Sequence, residues 1–441
     1  MREISSRREF LKTSGVVAGA AAAATAPLSL ARSAHAAGSD VLTFALVGCG
    51  GRGTGAIRDF INAAQLLNQP VKLIAMADAF EDRVRGSLNR LQDEWSDYID
   101  VPDERICTGL DNNAKVLETD PDVVLMASPP GFRPWQYGEA VRAGKHVFME
   151  KPCCIDAPGY RSLVASNEMA DEKELRVVVG LQRHHQASYI RGIEEIHEGK
   201  LGDVMFLRVY WNGLGGGGRD LGSRPQNDPE EMRFQVRNWG CFRWLYGDNI
   251  VEQHVHNIDI ANWVMARDGN HRAAHPVEAN GMGGRVHRGN YGDIFDHHYI
   301  EFTYADGTKM FSQSRHQPGT WNQVNEFVHG KEGSRSVSVG GGPELESGNP
   351  YVQEQVALIK AIRDGEELNE GWFGAVSSMT AVMGRMASYS GQVIRWDEAV
   401  AQGPEEGPEQ LAWDAQPRSL PDQDGRYPYP TPGAYNPYES L

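Results

Sequence analysis

Cysteine is scarce in this chain. There are five in 441 residues (Cys49, Cys107, Cys153, Cys154 and Cys241), an odd number without a C-x-x-C pair, so no disulfide framework is expected. Long apolar runs are lacking too: beyond the N-terminal region no stretch approaches the ~20 strongly apolar residues that a membrane span needs. Positive charge is in deficit, 43 Lys and Arg against 59 Asp and Glu, for a formal net charge of −16. A chain this acidic repels phosphate backbones and anionic membranes, which excludes nucleic acid and stable membrane insertion as leading readings. No internal repeat is visible. Hydrophobic residues at 40% and charged residues at 23% are ordinary globular values, so disorder is not the default, and the length calls for two domains.

The start of the chain is different in kind. "SSRREFLK" at residues 5–12, then an uncharged Ala/Gly-rich run to Ala31 and "ARSAHAAG", reads as a twin-arginine export signal with cleavage near Ala37. Residues 1–37 hold five basic and two acidic side chains, so their removal takes the net charge from −16 to −19. The twin-arginine route carries folded proteins, and the expected destination is the periplasm. A protein folded in a reducing cytoplasm before export has no need of disulfides.

From Val41 the texture is strand, turn, helix, strand. "VLTFALVG", "VKLIAMAD", "PDVVLMASPP" and "KHVFME" are short apolar runs, the look of strands buried on both faces. Between the first two, Ile57, Phe60, Ile61 and Ala64 fall at helical spacing, and "RPWQYGEAVRAG" is a later helix. Alternating strands and helices predict a parallel, doubly wound Rossmann domain over residues 38–155. After 155, "LGDVMFLRVYWNG", "FDHHYIEFTYADGTKMFSQSR" and "EFVHGKEGSRSVSVGG" read as longer strands, with a hairpin turn at Ala305–Thr308. That predicts an α+β domain over 156–400, built on a large, mostly antiparallel open sheet with amphipathic helices at 351–365 and 377–391. The long Gly/Pro-rich loop 213–231 reads as functional or mobile, and the Pro/Tyr-rich residues 401–441 as an extended arm.

Gly48-x-Gly50-x-x-Gly53 lies between the first strand and the first helix. The first glycine permits a tight turn, the second lets backbone approach a pyrophosphate, and the third lets the helix pack close to the strand. The helix N-terminus then favours the negative charge. Asp78 closes the second strand 25 residues after Gly53. A carboxylate there can accept hydrogen bonds from an adenosine ribose diol and repels a 2′-phosphate, so NAD(H) is favoured over NADP(H).

Pro129-Pro130, the helix "QYGEAVRAGKHV" and Glu150-Lys151-Pro152 together resemble the Gfo/Idh/MocA oxidoreductases, and the likeness runs from about residue 41 to 398 through "AIRDGEELNEG" and "MGRMASYSGQVIRWDE". The resemblance implies a nicotinamide-dependent enzyme acting on CH–OH groups, with further cofactor contacts from Gly51, Arg52, Arg83, Ser128, Pro129 and Glu150. It places Lys151 beside both the nicotinamide and the substrate hydroxyl. An ammonium there can polarise an alkoxide as hydride leaves. The family also has a carboxylate four residues before a histidine, then an aspartate, and "VEQHVHNIDIANWV" supplies Glu252, His256 and Asp259. On one helix these share a face with Trp263. His256 is the expected general base, since imidazole titrates near neutrality, and Glu252 would orient it or the sugar.

One departure is "PPGFRP", with Phe132 and Arg133 where the family carries a histidine. "QRHH" and "RNWGCFRWLYGD" concentrate Arg, His and Trp in the second domain. Arg183, His184 and Trp239 join Asp259 as expected carbohydrate contacts, although Trp239 and Trp244 are equally at home as core. No metal site is expected: His254 and His256 are two apart on a helix, and the adjacent pairs His184-His185 and His297-His298 would point to opposite faces of a strand.

The leading expectation is an NAD(H)-dependent dehydrogenase of a sugar or polyol hydroxyl, with a tightly held cofactor and redox-neutral cycling. Its alternatives are an NAD-dependent glycosidase or lyase that oxidises a sugar transiently, and a non-catalytic NAD- or sugar-binding protein. The resemblance further implies a homo-oligomer, dimer or tetramer.

Overall fold

The first strand shows how the sequence builds the frame. In a computed structural model, which describes residues 41–213, 230–286, 292–340 and 348–440, β1 (Leu42–Val47) has its last four residues fully buried. The export signal and most of the loop 213–231 lie outside the described residues. Thr43–Leu441 forms one compact unit that carries both domains.

After β1 come α1 (Gly51–Leu66), β2 (Val71–Asp78), α2 (Glu81–Trp95), β3 (Ile106–Thr108), α3 (Asn112–Leu117), β4 (Val123–Met126), α4 (Arg133–Arg142), β5 (His146–Met149), α5 (Ala157–Glu172) and β6 (Val177–Val179). They form a six-stranded sheet of order β3-β2-β1-β4-β5-β6, its registered pairs running parallel. Ile57, Phe60, Ile61 and Ala64 of α1 are buried, as their spacing predicts. Each such fully buried large side chain contributes about 1.5–3 kcal/mol. The sixth strand ends at Val179, so the doubly wound sheet continues past the expected boundary at 155. The change of texture there marks the loop after β5, not the end of the sheet.

The second domain follows with α6 (Ala187–His197), β7 (Val204–Asn212), α7 (Glu231–Arg237), α8 (Arg243–Tyr246), α9 (Asn249–Glu252) and α10 (Val255–Met265). Next are β8 (Glu278–Gly284), β9 (His297–Thr303), β10 (Lys309–Arg315), β11 (Gln323–Gly330), β12 (Gly333–Ser336), α11 (Pro350–Asp364), α12 (Gly371–Ser390), β13 (Ile394–Arg395) and α13 (Trp396–Gln402). Its seven-stranded sheet has the order β12-β11-β7-β10-β9-β8-β13, antiparallel throughout except where β7 and β10 run parallel. The β9–β10 connection is the expected hairpin, with Gly307 at φ +87° supplying the turn.

Helix α12 is buried around most of its circumference, because small residues on it let both domains approach. A Cβ at Gly374 would fall 2.8 Å from Cys153 Sγ in the first domain, and one at Gly384 2.7 Å from the Phe302 ring in the second. The Pro/Tyr-rich tail after α13, expected as an extended arm, has neither helix nor strand among its described residues and packs on its own chain. Tyr427 and Tyr435 are buried, the first among Phe234, Phe242 and Phe80, the second against Phe295 and Tyr389.

Candidate active site

The three glycines of the first turn meet three different demands. Gly48 has φ +99°, and a Cβ there would sit 2.3 Å from Ser128 N. A Cβ at Gly53 would lie 1.9 Å from the Gly48 carbonyl oxygen, so helix and strand meet only without a side chain. At Gly50 and Gly51 nothing lies within 4 Å of the Cβ position. Both residues open onto a cavity of about 630 Å³. No side chain caps α1, so its first N–H groups face that space with the positive end of the helix dipole.

The same cavity is lined by Gly48, Arg52, Asp78, Arg83, Ser128 and Pro129, all expected from the sequence. Asp78 Oδ2 accepts the Cys49 N–H at 2.8 Å and Oδ1 the Phe80 N–H at 3.0 Å, which fixes the carboxylate at the end of β2. Burial raises its pKa, and the nearby guanidinium groups of Arg83 and Arg237 oppose the rise. Each oxygen keeps lone-pair capacity for a diol. An open glycine cradle, an uncapped helix and a carboxylate in one cleft fit a dinucleotide.

Lys151 and Glu252 pair beside this cavity, with His256 within reach of the Lys151 charge. Glu252 lines the cavity. Lys151 Nζ donates to Glu252 Oε1 at 2.9 Å and also to the Glu252 backbone carbonyl. That carbonyl is free because the expected continuous helix is broken: α9 ends at Glu252 and α10 starts at Val255. Asp248 caps the start of α9, holding φ +78° while its carboxylate takes hydrogen bonds from the Asn249 and Phe295 N–H groups and from Tyr389. His256 stacks near Trp211, with ring centroids 5.8 Å apart. Its Nδ1 is shielded from solvent and has no protein partner. Burial, then the charges of Lys151, Arg183 and Arg52, hold its pKa well below 6.5, so the ring is neutral and able to accept a proton.

Other expected residues are committed elsewhere. His184 is sandwiched between Trp263 and Phe373 at centroid distances of 4.1 and 4.0 Å, and its Nε2 pairs with Asp259 Oδ2 at 2.7 Å. Asp259 also accepts from Ser377 at 2.8 Å. Both side chains are buried, which corrects their reading as carbohydrate contacts. Arg183 is likewise drawn inward, to the fully buried Glu326, which Tyr189 and Asn257 also contact. His184 and His185 sit on a 3-10 turn rather than a strand, and His185 pairs with Glu370 at 2.8 Å. Glu150 is buried beneath the cleft. It holds Arg52, which also meets Asp59 at 2.9 Å and Glu354 at 3.3 Å, so the guanidinium is shared among three carboxylates.

Trp239, 36% exposed, lines the cavity, whereas Trp244 is core and donates to Gln235 at 2.7 Å. Phe132 lines the cavity as well, and Arg133 beneath it donates to the carbonyls of Ser128 and Pro152, tying together the loops after β4 and β5. Gln136, Tyr246 and Gln253 complete this wall without having been expected, since no local motif marks them. Among the described residues no group of three or more His, Cys, Asp or Glu is placed to hold a metal, and no helix is long and apolar enough to cross a membrane.

Comparison with known proteins agrees with this fold. Residues 42–181 match the model of the oxidoreductase family with an NAD-binding Rossmann fold, GFO_IDH_MocA. An inositol 2-dehydrogenase of Gluconacetobacter diazotrophicus is 31% identical over 212 residues, 47% of this chain and 57% of its own length. One from Rhizobium meliloti is 22% identical over 65% of this chain and 74% of its length. Among solved structures, scyllo-inositol dehydrogenase of Lactobacillus casei with bound NAD(H) and scyllo-inositol superposes with a TM-score of 0.59 at 18% identity, covering 81% of this chain and 99% of that one. Aldose-aldose oxidoreductase of Caulobacter crescentus, complexed with glycerol, gives 0.60 at 16% identity over 80% and 99%. These likenesses establish the shared two-domain fold. The open glycine cradle and the carboxylate of Asp78 thus lie in the Rossmann-fold region, residues 42–181, that matches this NAD-binding oxidoreductase family.

Proposed function

We propose that this protein is an NAD(H)-dependent dehydrogenase of a sugar or polyol hydroxyl. The observation that carries the reading is the Lys151–Glu252 pair, with a neutral His256 near it, at a cavity that Glu252 and Asp78 both line. Gly50, Gly51 and the start of α1 would hold the pyrophosphate, and Asp78 the ribose diol. A nicotinamide held there would supply the hydride acceptor for a carbinol carbon. Lys151 uses two of its three donors on Glu252 and offers the third to the substrate oxygen. His256 takes the hydroxyl proton on its neutral imidazole, while the Glu252 carboxylate keeps the ammonium aimed.

The inositol and aldose relatives place polyols and aldoses first among substrates to try. The residues 5–12 signal further supports work outside the cytoplasm, where free nucleotide is scarce. That favours a cofactor loaded before export and regenerated by a second substrate in the same site. The same reading carries a homo-oligomer, dimer or tetramer, which light scattering sizes. The test is to purify the exported form without added nucleotide, denature it, and identify released small molecules by mass spectrometry. Purified protein is then assayed with inositols and aldoses, singly and in pairs. One NAD(H) per chain with sugar-dependent turnover supports the proposal. A protein that neither contains nor binds NAD(H) overturns it.

A further inference from the structure

The second domain contributes a wall to the cavity that no part of the Rossmann motif supplies. Residues 236–241, the end of α7 and the turn after it, line the cavity together with Asp78, Phe80 and Arg83. The wall is fastened to the first domain at one point. Arg237 donates through both Nη atoms to the Asp82 carboxylate, at 2.9 and 3.0 Å, and its guanidinium lies 3.8 Å from the Phe80 ring centroid. A bidentate pair stacked on an aromatic ring is geometrically specific even at the surface.

The tail braces the wall from behind. Trp413 packs on Phe80 with centroids 5.6 Å apart, and Arg233 lies 5.4 Å from both rings. The Ser419 carbonyl accepts from Gln235 at 2.7 Å, and Tyr427 donates to Glu231 at 2.6 Å, so the tail grips α7 at two positions. Deeper in, Glu406 neutralises the buried Arg243 and Arg385 at 2.8 and 3.0 Å, which anchors the start of the tail.

We infer that Arg237 is a cofactor-retaining residue outside the Rossmann domain: paired with Asp82 and stacked on Phe80, it latches the wall over the adenosine end of the dinucleotide, and the tail from Glu406 to Tyr427 holds that wall in place. The inference rests on reading the cavity as an NAD site. Dissociation then requires the latch to open, so exchange is slower than the glycine cradle and Asp78 alone would allow.

The test uses the full chain loaded with NADH and chased with excess NAD⁺, following loss of bound NADH fluorescence. Arg237→Ala and Asp82→Ala should each release NADH about tenfold faster, and the double variant no faster than either single, because the two side chains form one unit. Raising ionic strength should accelerate release from the unsubstituted chain and not from the double variant. Trp413→Ala, which leaves the pair intact, should shift release the same way. Unchanged release in both single variants, or fully additive acceleration in the double, overturns the latch. If the unsubstituted chain takes up no NADH at all, the cofactor reading fails with it. If every variant binds NADH and releases it alike, the latch alone fails.

Discussion

Lys151 grips Glu252 twice, at the side chain and at the main chain, so one ammonium reads both ends of one residue. The second contact exists only because the helix stops there. In an unbroken helix the Glu252 carbonyl would accept from the residue four positions on. The break therefore converts a backbone acceptor into part of the site.

Lys151→Met and His256→Asn should each lower kcat by about 10²–10⁴, the usual worth of a positioned proton-transfer group. Affinity for NAD should hold, because neither side chain lines the adenosine end of the cavity. Steady-state kinetics with a turned-over sugar, beside a fluorescence titration of cofactor, separates the two effects.

The pH profile has a definite sign. Burial and three neighbouring cations keep the His256 pKa well below 6.5, so the imidazole remains a base into mildly acid solution. The acid limb of kcat/KM should lie below pH 6.5 and be absent in His256→Asn. A limb at or above 6.5 would contradict a neutral, buried base.

Stability should fall on acidification for a related reason. The pKa of His146 is lowered to about 4 and that of His254 to about 3, both chiefly by burial. The unfolded chain binds those protons near pH 6.5 and the folded chain does not. Their contribution is complete above pH 6.5 and is lost as pH falls towards 4 and then 3, a few kcal/mol in all. Asp156 works in the opposite sense: burial raises it to about 6, so its penalty eases below that pH. Urea unfolding at pH 7.5 and 5.0 should show the histidines prevailing, with the lower midpoint at pH 5.0.

Alanine in the glycine turn should separate folding from binding. Gly53→Ala forces a Cβ to within 1.9 Å of backbone and should lower the apo melting temperature by several degrees. Gly51→Ala meets nothing in the protein, so its apo melting temperature should stay put while the rise on adding NAD shrinks. Differential scanning fluorimetry with and without NAD reads both.

Asp78→Asn should narrow the preference for NAD over NADP by about tenfold, since it keeps the shape and removes the repulsion of a 2′-phosphate. Titration with both nucleotides checks it. An unchanged ratio would shift cofactor choice to Arg83 and its surroundings.

The readable parts of this site are those whose chemistry is local. Gly48 and Gly53 are forced by turn and packing within a few residues, and Asp78 by its place at a strand end, so spacing alone marks them. Lys151 follows a buried strand and precedes a proline, again a local signature. His184, Arg183 and Asp259 are a different case. Each has a functional-looking side chain, and what decides its role is a partner far along the chain: Trp263 and Phe373, Glu326, and Ser377. The helix break at residues 253–254 was hidden likewise, since Lys151, which donates to the Glu252 carbonyl, and Ser312, which meets His254, are far away in the chain. The domain boundary slipped because β6 is a three-residue strand after a long helix, too short to register as a run.

The bracing of α7 by residues 406–427 has a consequence for biosynthesis. Those residues leave the ribosome after both sheets and nearly every helix have been made. A nascent chain can therefore complete its nucleotide fold while its outer wall still lacks support, and cofactor can enter by a route that later narrows. Translation order itself would then favour loading: open while the chain is growing, closed once the tail has docked.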